Sequence, residues 1–227
     1  MADTGTAPCV LCGNDRTEAF FADRRRSYLR CPNCDLVFVP RQQLLSVTDE
    51  RVRYDQHHNS AADAAYLRYV DACVAELRRL PLVGARILDF GCGQHAVMTA
   101  RLREQGLDCT AYDPLYELGG QALAGKYDVI AAIEVVEHLR DPRHEFDTIA
   151  NCLAPGGYLF VRTLLRRADV PFVAWWYKND PTHVNFFSAI TLRFVSRAWN
   201  LLCEHSDDRQ IVVLKATSGA LRLPSQP

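Results

Sequence analysis

Nowhere in the 227 residues does an apolar run approach the ~20 residues that a membrane-spanning helix requires. The N-terminus, Met1-Ala2-Asp3-Thr4-Gly5, lacks the basic start and apolar stretch of a secretory signal. Charge of one sign is also missing: 26 Lys and Arg stand against 27 Asp and Glu, a net of −1. No global electrostatic pull toward nucleic acid or an anionic membrane follows from such a balance. There is no internal repeat and no low-complexity tract. These absences imply a soluble, cytoplasmic protein with no membrane partner, long enough for one sizeable core plus an appendage.

Cysteine, by contrast, is plentiful and unevenly placed. Four of the nine form two pairs, Cys9-x-x-Cys12 and Cys31-x-x-Cys34, with eighteen residues between them. Each pair can offer two sulfurs from one tight turn, the spacing of a four-thiolate tetrahedral zinc site. Gly13 follows the first pair, as such a knuckle prefers, and Asp35 holds the equivalent place after the second. The competing reading, a redox dithiol, lacks a thioredoxin-like context. The remaining cysteines (Cys73, Cys92, Cys109, Cys152 and Cys203) occur singly and read as small buried hydrophobes in a reducing compartment. A segment of some thirty residues buries too little to fold unaided, so metal would supply most of its folding energy, on the order of 10 kcal/mol.

The most informative run is Ile87-Leu88-Asp89-Phe90-Gly91-Cys92-Gly93, an apolar strand ending in a glycine turn. A helical stretch follows from Gln94 to Gln105, closed by Gly106, and then a strand from Leu107 to Tyr112 that ends on Asp113. This order builds a pocket for an adenosine cofactor: glycines admit the ligand to the backbone, and the distal carboxylate accepts from ribose hydroxyls. A dinucleotide would want a third glycine, at the position held by Ala96, and would be repelled by Asp89 in the strand end. An acid there suits S-adenosylmethionine, which is cationic at sulfur and carries no phosphate.

At these residues the chain resembles class I S-adenosylmethionine-dependent methyltransferases. The resemblance continues through Tyr127 to Ala132 as a fourth strand, Glu134-Val135-Val136-Glu137-His138 after it, and Leu153-Ala154-Pro155-Gly156-Gly157 leading into a fifth. It implies an α/β, Rossmann-like sheet with helices on both faces, covering about Val83 to Ala216. His95 departs from the small residue frequent in that family's turn. Only thirteen residues, Pro114 to Lys126, separate the second strand from the fourth, so the third strand is expected to be short or missing. The organisation expected is a zinc ribbon over 1–40, a linker and lid helix over 41–82, the cofactor-binding body over 83–216 and a disordered tail over 217–227. Asp89, Gly91, Cys92, Gly93, Asp113 and Glu134 are the expected cofactor residues.

For chemistry at the acceptor, the residues singled out are Glu137 and His138 beside the fourth strand, and His183 within the insertion after the fifth. Two carboxylates and two imidazoles, Glu134, Glu137, His138 and His183, could hold a divalent metal that acidifies a substrate hydroxyl. This arrangement looks like that of small-RNA 2′-O-methyltransferases and of ubiquinone-pathway O-methyltransferases. The alternatives are a metal-free imidazole base or substrate contact at His138 or His183, and a structural role in which Glu134 borders the cofactor, Glu137 caps a helix and His138 only packs or donates a hydrogen bond. Trp175, Trp176, Phe186 and Phe187 are expected to keep water from that site. Arg53-Tyr54-Asp55-Gln56-His57-His58-Asn59 resembles a stretch in bacterial zinc-ribbon methyltransferases that lids the cofactor, which adds Tyr54 and His57 to the candidates. The leading expectation is methyl transfer to a small or medium metabolite. The alternatives are an RNA-modifying enzyme gripping RNA through Arg24, Arg25, Arg26 and Arg30, with Arg166-Arg167 as a smaller cluster, and a non-catalytic cofactor-binding module.

Overall fold

The computed structural model describes residues 7–56 and 59–217. The chain opens with three short strands, β1 (Glu18–Ala22), β2 (Ser27–Arg30) and β3 (Val37–Phe38), paired antiparallel in that order. Asp23 closes the β1–β2 hairpin by accepting the backbone N–H groups of Arg25 and Arg26 on one carboxylate oxygen. In the two cysteine turns Gly13 donates to the carbonyl of Cys9 and Asp35 to that of Cys31, and both are left-handed (φ 74° and 61°). Glycine takes that conformation without cost, whereas Asp35 takes it in a setting of strong side-chain bonds. Its carboxylate accepts from Arg30, Arg166 and Ser188.

The polar stretch expected to be a linker contains a helix, α1 (Val47–Asp55), capped by Ser46, whose hydroxyl accepts from Asp49 N. α1 buries no residue completely, so it shows none of the apolar periodicity by which helices are read. The next helix, α2 (Ala64–Leu77), is capped by Asp63 and buries Val70, Cys73, Val74 and Leu77 on one face.

The body then alternates: β4 (Arg86–Phe90), α3 (Val97–Glu104), β5 (Asp108–Tyr112), β6 (Tyr127–Ile133), α4 (Pro142–Cys152) and β7 (Leu153–Arg162). An irregular insertion carries β8 (Asn185–Phe186), followed by α5 (Ala189–Ala198), β9 (Leu201–Ser206) and β10 (Ile211–Ala216). Six of these strands form one sheet in the order β5-β4-β6-β7-β10-β9, the first four parallel and the last two antiparallel. Between β5 and β6 there is a 3-10 turn (Gly120–Ala124) and a single bridge from Asp113 to Leu118, and no strand. The missing third strand is thus as the short connection implies.

Alternation along the strands divides the core. Ile87, Val129, Ala131, Phe160, Ile211 and Val213 meet α2 and α3 on one face. Leu88, Ile130, Ala132, Leu159, Val161, Val212 and Leu214 meet α4 and α5 on the other. Helices therefore cover both faces.

The ribbon does not stand apart from this body. β8, from the insertion after β7, is the fourth strand of the ribbon sheet and pairs antiparallel with β3 (Val37 with Phe186, Phe38 with Asn185). Cys9, Cys31, Cys34, Leu36 and Phe38 share a continuous apolar cluster with Val195 and Leu192 of α5. Trp175 and Phe186 pack with Tyr28 and Phe172 in a second aromatic cluster, and Phe187 lies against Phe146 in the core. These three rings are buried in packing, so of the four expected beside the site only Trp176 borders the main cavity.

Cys203 is exposed on edge strand β9, contrary to the expectation of a buried thiol, because the middle of that strand, from Leu202 to His205, is exposed. Cys73, Cys109 and Cys152 are buried. Thr217, placed by the sequence in the tail, donates its N–H to Asn200 O; residues 218–227 lie outside the described residues. No helix among those described is long and apolar enough to cross a membrane.

Candidate active site

A cavity of about 950 Å³ opens at the C-terminal ends of β4, β5, β6 and β7, the crevice where open α/β sheets hold ligands. Asp89, Gly91, Cys92, Gly93, Asp113, Glu134, Tyr54, His138 and His183 all line it. His57 lies outside the described residues.

The glycine turn works in two different ways. Gly91 (φ 76°) donates to Tyr112 O, and a Cβ there would come within 2.5 Å of the Val135 side chain. Its small size is therefore demanded by the loop after β6, a constraint that the sequence did not show. Gly93 (φ 70°) faces open space, with nothing within 4 Å of a built Cβ, so its backbone lies open to the cavity. Ala96, standing where a third glycine would fall, itself adopts the left-handed region (φ 42°) at the start of α3.

Asp89 is buried, and one of its oxygens accepts both the N–H and the hydroxyl of Thr99, at 3.1 and 2.7 Å. It thereby caps α3, which has no side-chain cap of its own. Burial, opposed by those Thr99 bonds and aided by the charge of Asp113, pushes its carboxyl up to about 6. Asp113 gathers three backbone donors: Gly93 N at 2.9 Å on one oxygen, Leu115 N and Tyr116 N at 2.9 and 3.3 Å on the other. It thus ties the glycine turn to the loop after β5. Cys92 is half-buried, and burial with the nearby Asp89 and Asp113 charges pushes its thiol up to about 12, which leaves it an uncharged wall.

On the other side of the cavity a carboxylate network surrounds Glu134, whose backbone is left-handed (φ 53°). Its oxygens accept from Tyr69 of α2 at 3.0 Å and Tyr177 of the insertion at 3.3 Å, and Arg162 at the end of β7 lies 3.5 Å away. The one proton of that Tyr177 hydroxyl is shared between Glu134 and the closer Glu137, which is fully buried and whose second oxygen has no hydrogen-bond partner among the described residues. Burial and the neighbouring Glu134 charge raise the Glu137 carboxyl well above its usual range. Tyr69 and Arg162 escaped the sequence reading. The one available signal was Arg162, a charge ending the apolar run Leu159-Phe160-Val161.

The two candidate imidazoles lie side by side, ring centroids 4.7 Å apart. They belong to a column of four rings, with Tyr54 of α1 at 5.1 Å from His138 and Tyr177 at 4.0 Å from His183. Each Nδ1 meets a backbone carbonyl, His138 that of Thr182 (3.0 Å) and His183 that of Tyr177 (2.7 Å). A carbonyl only accepts, so Nδ1 carries the proton and Nε2 the lone pair on both rings. Burial pushes His183 below its usual range, partly offset by Asp180. Glu137, His138 and His183 can each present one ligand atom within 4.8 Å of the others. Glu134 is not in that group, so the four-residue metal set expected from sequence contracts to three. A second group, Cys9, Cys12, Cys31 and Cys34, presents its four sulfurs within the same limit, with 3.5 Å between Cys9 and Cys34 and 3.4 Å between Cys12 and Cys31.

α1 roofs the cavity through polar contacts with three different loops. Asp55 accepts from Tyr116 (3.0 Å), Arg53 pairs with Asp180 (2.8 Å) and Glu50 pairs with Arg140 (2.9 Å).

Comparison with known proteins falls on the same region. Residues 60–205 match a family model described as a methyltransferase domain. The ubiquinone biosynthesis O-methyltransferase of Xylella fastidiosa is 36% identical over 113 residues, 39% of this chain and 46% of that protein. The protein of the same description from Pectobacterium carotovorum is 30% identical over 117 residues, 41% of this chain and 48% of the other. The chain thus spans about half the length of these curated relatives. Among solved structures, an O-methyltransferase family protein from Burkholderia thailandensis superposes with a TM-score of 0.55 at 17% identity, covering 75% of this chain and 63% of that one. That likeness is one of fold.

Proposed function

Because the chain belongs to the methyltransferase domain family, matched over residues 60–205, we propose that it transfers a methyl group from S-adenosylmethionine to a small or medium metabolite. The observation that carries this reading is one cavity with two unlike sides: an open glycine turn with Asp113 on one, and a pair of lone-pair imidazole nitrogens on the other. S-adenosylmethionine, when bound, supplies an electrophilic methyl on a cationic sulfur. The residues suit it: Gly93 leaves space for a ligand at the backbone, Asp113 has acceptor capacity beyond its three backbone donors, and Asp89 and Glu134 add acids where a phosphate would be repelled.

At the acceptor, Nε2 of His183 or His138 would take the acceptor's proton, so that the acceptor's electron pair could be given to the methyl carbon while the sulfur of bound S-adenosylmethionine would keep the pair of the bond it gives up. Burial, which pushes His183 below its usual range, favours the ring form able to take that proton. Tyr54 packs on His138 from the roof, and Glu137 offers a carboxyl oxygen within 4.8 Å of a ring nitrogen of each imidazole. Alternatively Glu137, His138 and His183 hold a divalent metal, which would ionise a hydroxyl acceptor. Imidazoles anchored through Nδ1 to carbonyls are a common arrangement among metal ligands. At the N-terminus we assign a structural zinc to Cys9, Cys12, Cys31 and Cys34. The sulfur spacing is close to the ~3.8 Å expected of a tetrahedron with ~2.3 Å Zn–S bonds.

RNA as the substrate is less well supported. Arg26, Arg30 and Arg166, which the sequence offers as a basic grip, are engaged with backbone carbonyls or Asp35. Calorimetry with S-adenosylhomocysteine and with NAD, followed by S-adenosylhomocysteine release from metabolite extract and from total RNA, tests the proposal. Binding of NAD and not of S-adenosylhomocysteine overturns it. Once an acceptor is identified, His183→Ala should lower kcat by ~10²–10⁴. Chelator-resistant turnover would assign proton transfer to the imidazoles, whereas loss restored by Mg or Mn would assign the metal. Metal analysis should return about one zinc per chain, and less in Cys31→Ser.

A further inference from the structure

The insertion that carries His183 has little regular structure of its own, yet it fixes both imidazoles. Tyr177 O holds His183, and Thr182 O holds His138. Three carbonyls between them, those of Lys178, Asp180 and Pro181, all accept from one guanidinium, Arg26, at 2.5, 2.9 and 3.1 Å. Arg26 comes from the hairpin between the two cysteine pairs. Its Nε is steered by Tyr28 OH at 2.9 Å, and Tyr28 in turn reaches Asp23. All three guanidinium nitrogens are thus committed, and a planar fork is the group able to gather several acceptors in fixed geometry.

The strand after the loop is held from the same side. Val39 N donates to Val184 O, and β3 pairs with Asn185 and Phe186. From there the stitching reaches the other imidazole's turn: Val184 N donates to Glu137 O at 2.8 Å, and Asn185 Nδ2 to Leu139 O at 2.6 Å.

We propose that the cysteine ribbon is the scaffold of the acceptor side of the cavity, with Arg26 as a positioning residue that sets the 177–183 loop and, through it, the orientation of His183 and His138. Among the described residues, no hydrogen bond from the ribbon reaches the cofactor side, built from β4, β5 and their turns. Calling these imidazoles the acceptor side rests on the methyl-transfer reading above; the mechanical link from Arg26 to them does not.

The test compares Arg26→Ala and Arg26→Lys with the parent protein, full-length and zinc-loaded. Three readouts are taken: ¹⁵N shifts of the His183 and His138 rings, hydrogen exchange of amides 178–185, and affinity for S-adenosylhomocysteine. In Arg26→Ala the Nδ1-protonated signature of both rings should give way to mixed tautomers. Exchange across the loop should accelerate roughly tenfold or more, while S-adenosylhomocysteine affinity stays within about twofold. Millimolar guanidinium should partly restore the ring signature. Arg26→Lys, able to reach fewer carbonyls, should fall between, and it carries the test alone if the alanine variant does not fold. Unchanged ring tautomers and loop exchange in either variant would overturn the proposal, as would an equal loss of order on the cofactor side. If the parent protein fails to bind S-adenosylhomocysteine, the methyl-transfer reading falls while the ring and exchange data still decide the role of Arg26.

Discussion

Asparagine at position 113 is nearly the same shape as the native aspartate, and the structure says it should nevertheless fail. The Asp113 carboxylate accepts three backbone N–H groups, one from the glycine turn and two from its own loop. An amide has a single acceptor oxygen. If that oxygen stays with Leu115 and Tyr116, the NH₂ faces the N–H of Gly93, donor against donor, and the turn loses its tie to β5. If the amide flips, two donors are orphaned rather than one. The same face of the carboxylate would receive the ribose hydroxyls, so an acceptor is lost there as well. A hydrogen bond to a charged group contributes ~1.5–3 kcal/mol, which as binding energy corresponds to a ~10–100-fold weaker Kd for S-adenosylhomocysteine. Titration calorimetry on Asp113→Asn, with circular dichroism to verify the fold, measures it directly. Affinity within twofold of the parent would refute the reasoning, because it would mean that neither the turn geometry nor the ribose depends on that oxygen.

Two further predictions concern stability. The Asp89 carboxyl is raised to about 6 in the folded protein. The folded state therefore holds this proton more tightly than the unfolded state, and the stabilisation is complete below pH ~4 and lost as pH climbs through ~6. A shift of ~2 units corresponds to ~3 kcal/mol, so urea midpoints should fall across that window, and Asp89→Asn, which still accepts from Thr99, should flatten the decline. At the glycine turn, Gly91→Ala should destabilise by ~2–5 kcal/mol, combining left-handed strain with the Val135 clash. Gly93→Ala meets no neighbour, so it should cost only the ~1–3 kcal/mol of backbone strain and weaken S-adenosylhomocysteine binding instead. Equal denaturation midpoints for the two variants would show the Val135 contact to be unimportant.

The parts of this fold that were legible in the sequence are those written in periodicity and local turn chemistry. Ile87 to Phe90 and Tyr127 to Ile133 alternate between two buried faces, Asp141-Pro142 starts α4 as a cap and first turn should, and Ser188 caps α5. The cofactor-turn residues and both imidazoles line one cavity because motif order in a parallel sheet dictates which loops converge. What escaped had no local signature. α1 is docked by ion pairs with no fully buried face, and Ser46-x-x-Asp49 was its only announcement. Trp175, Phe186 and Phe187 were expected beside the acceptor because an aromatic in an irregular segment does not declare its direction; in the fold they fill packing clusters. β8 is two residues long, and its partner lies near the other end of the chain, a pairing that no window of sequence could anticipate.

That last pairing bears on how the chain comes apart. Because β3 is satisfied on one side only by a strand made after the four parallel strands of the body, the N-terminal sheet remains an open edge until synthesis has passed Phe186. Long-range closure of this kind is slow, since the entropy of a large loop must be lost before the contact is gained. Once made, it joins regions that the eye would divide into two domains. Heat or urea should therefore reveal one cooperative transition rather than an early melting of the ribbon followed by the sheet. A fragment ending before residue 185 should self-associate through the exposed β3 edge instead of behaving as a small soluble domain.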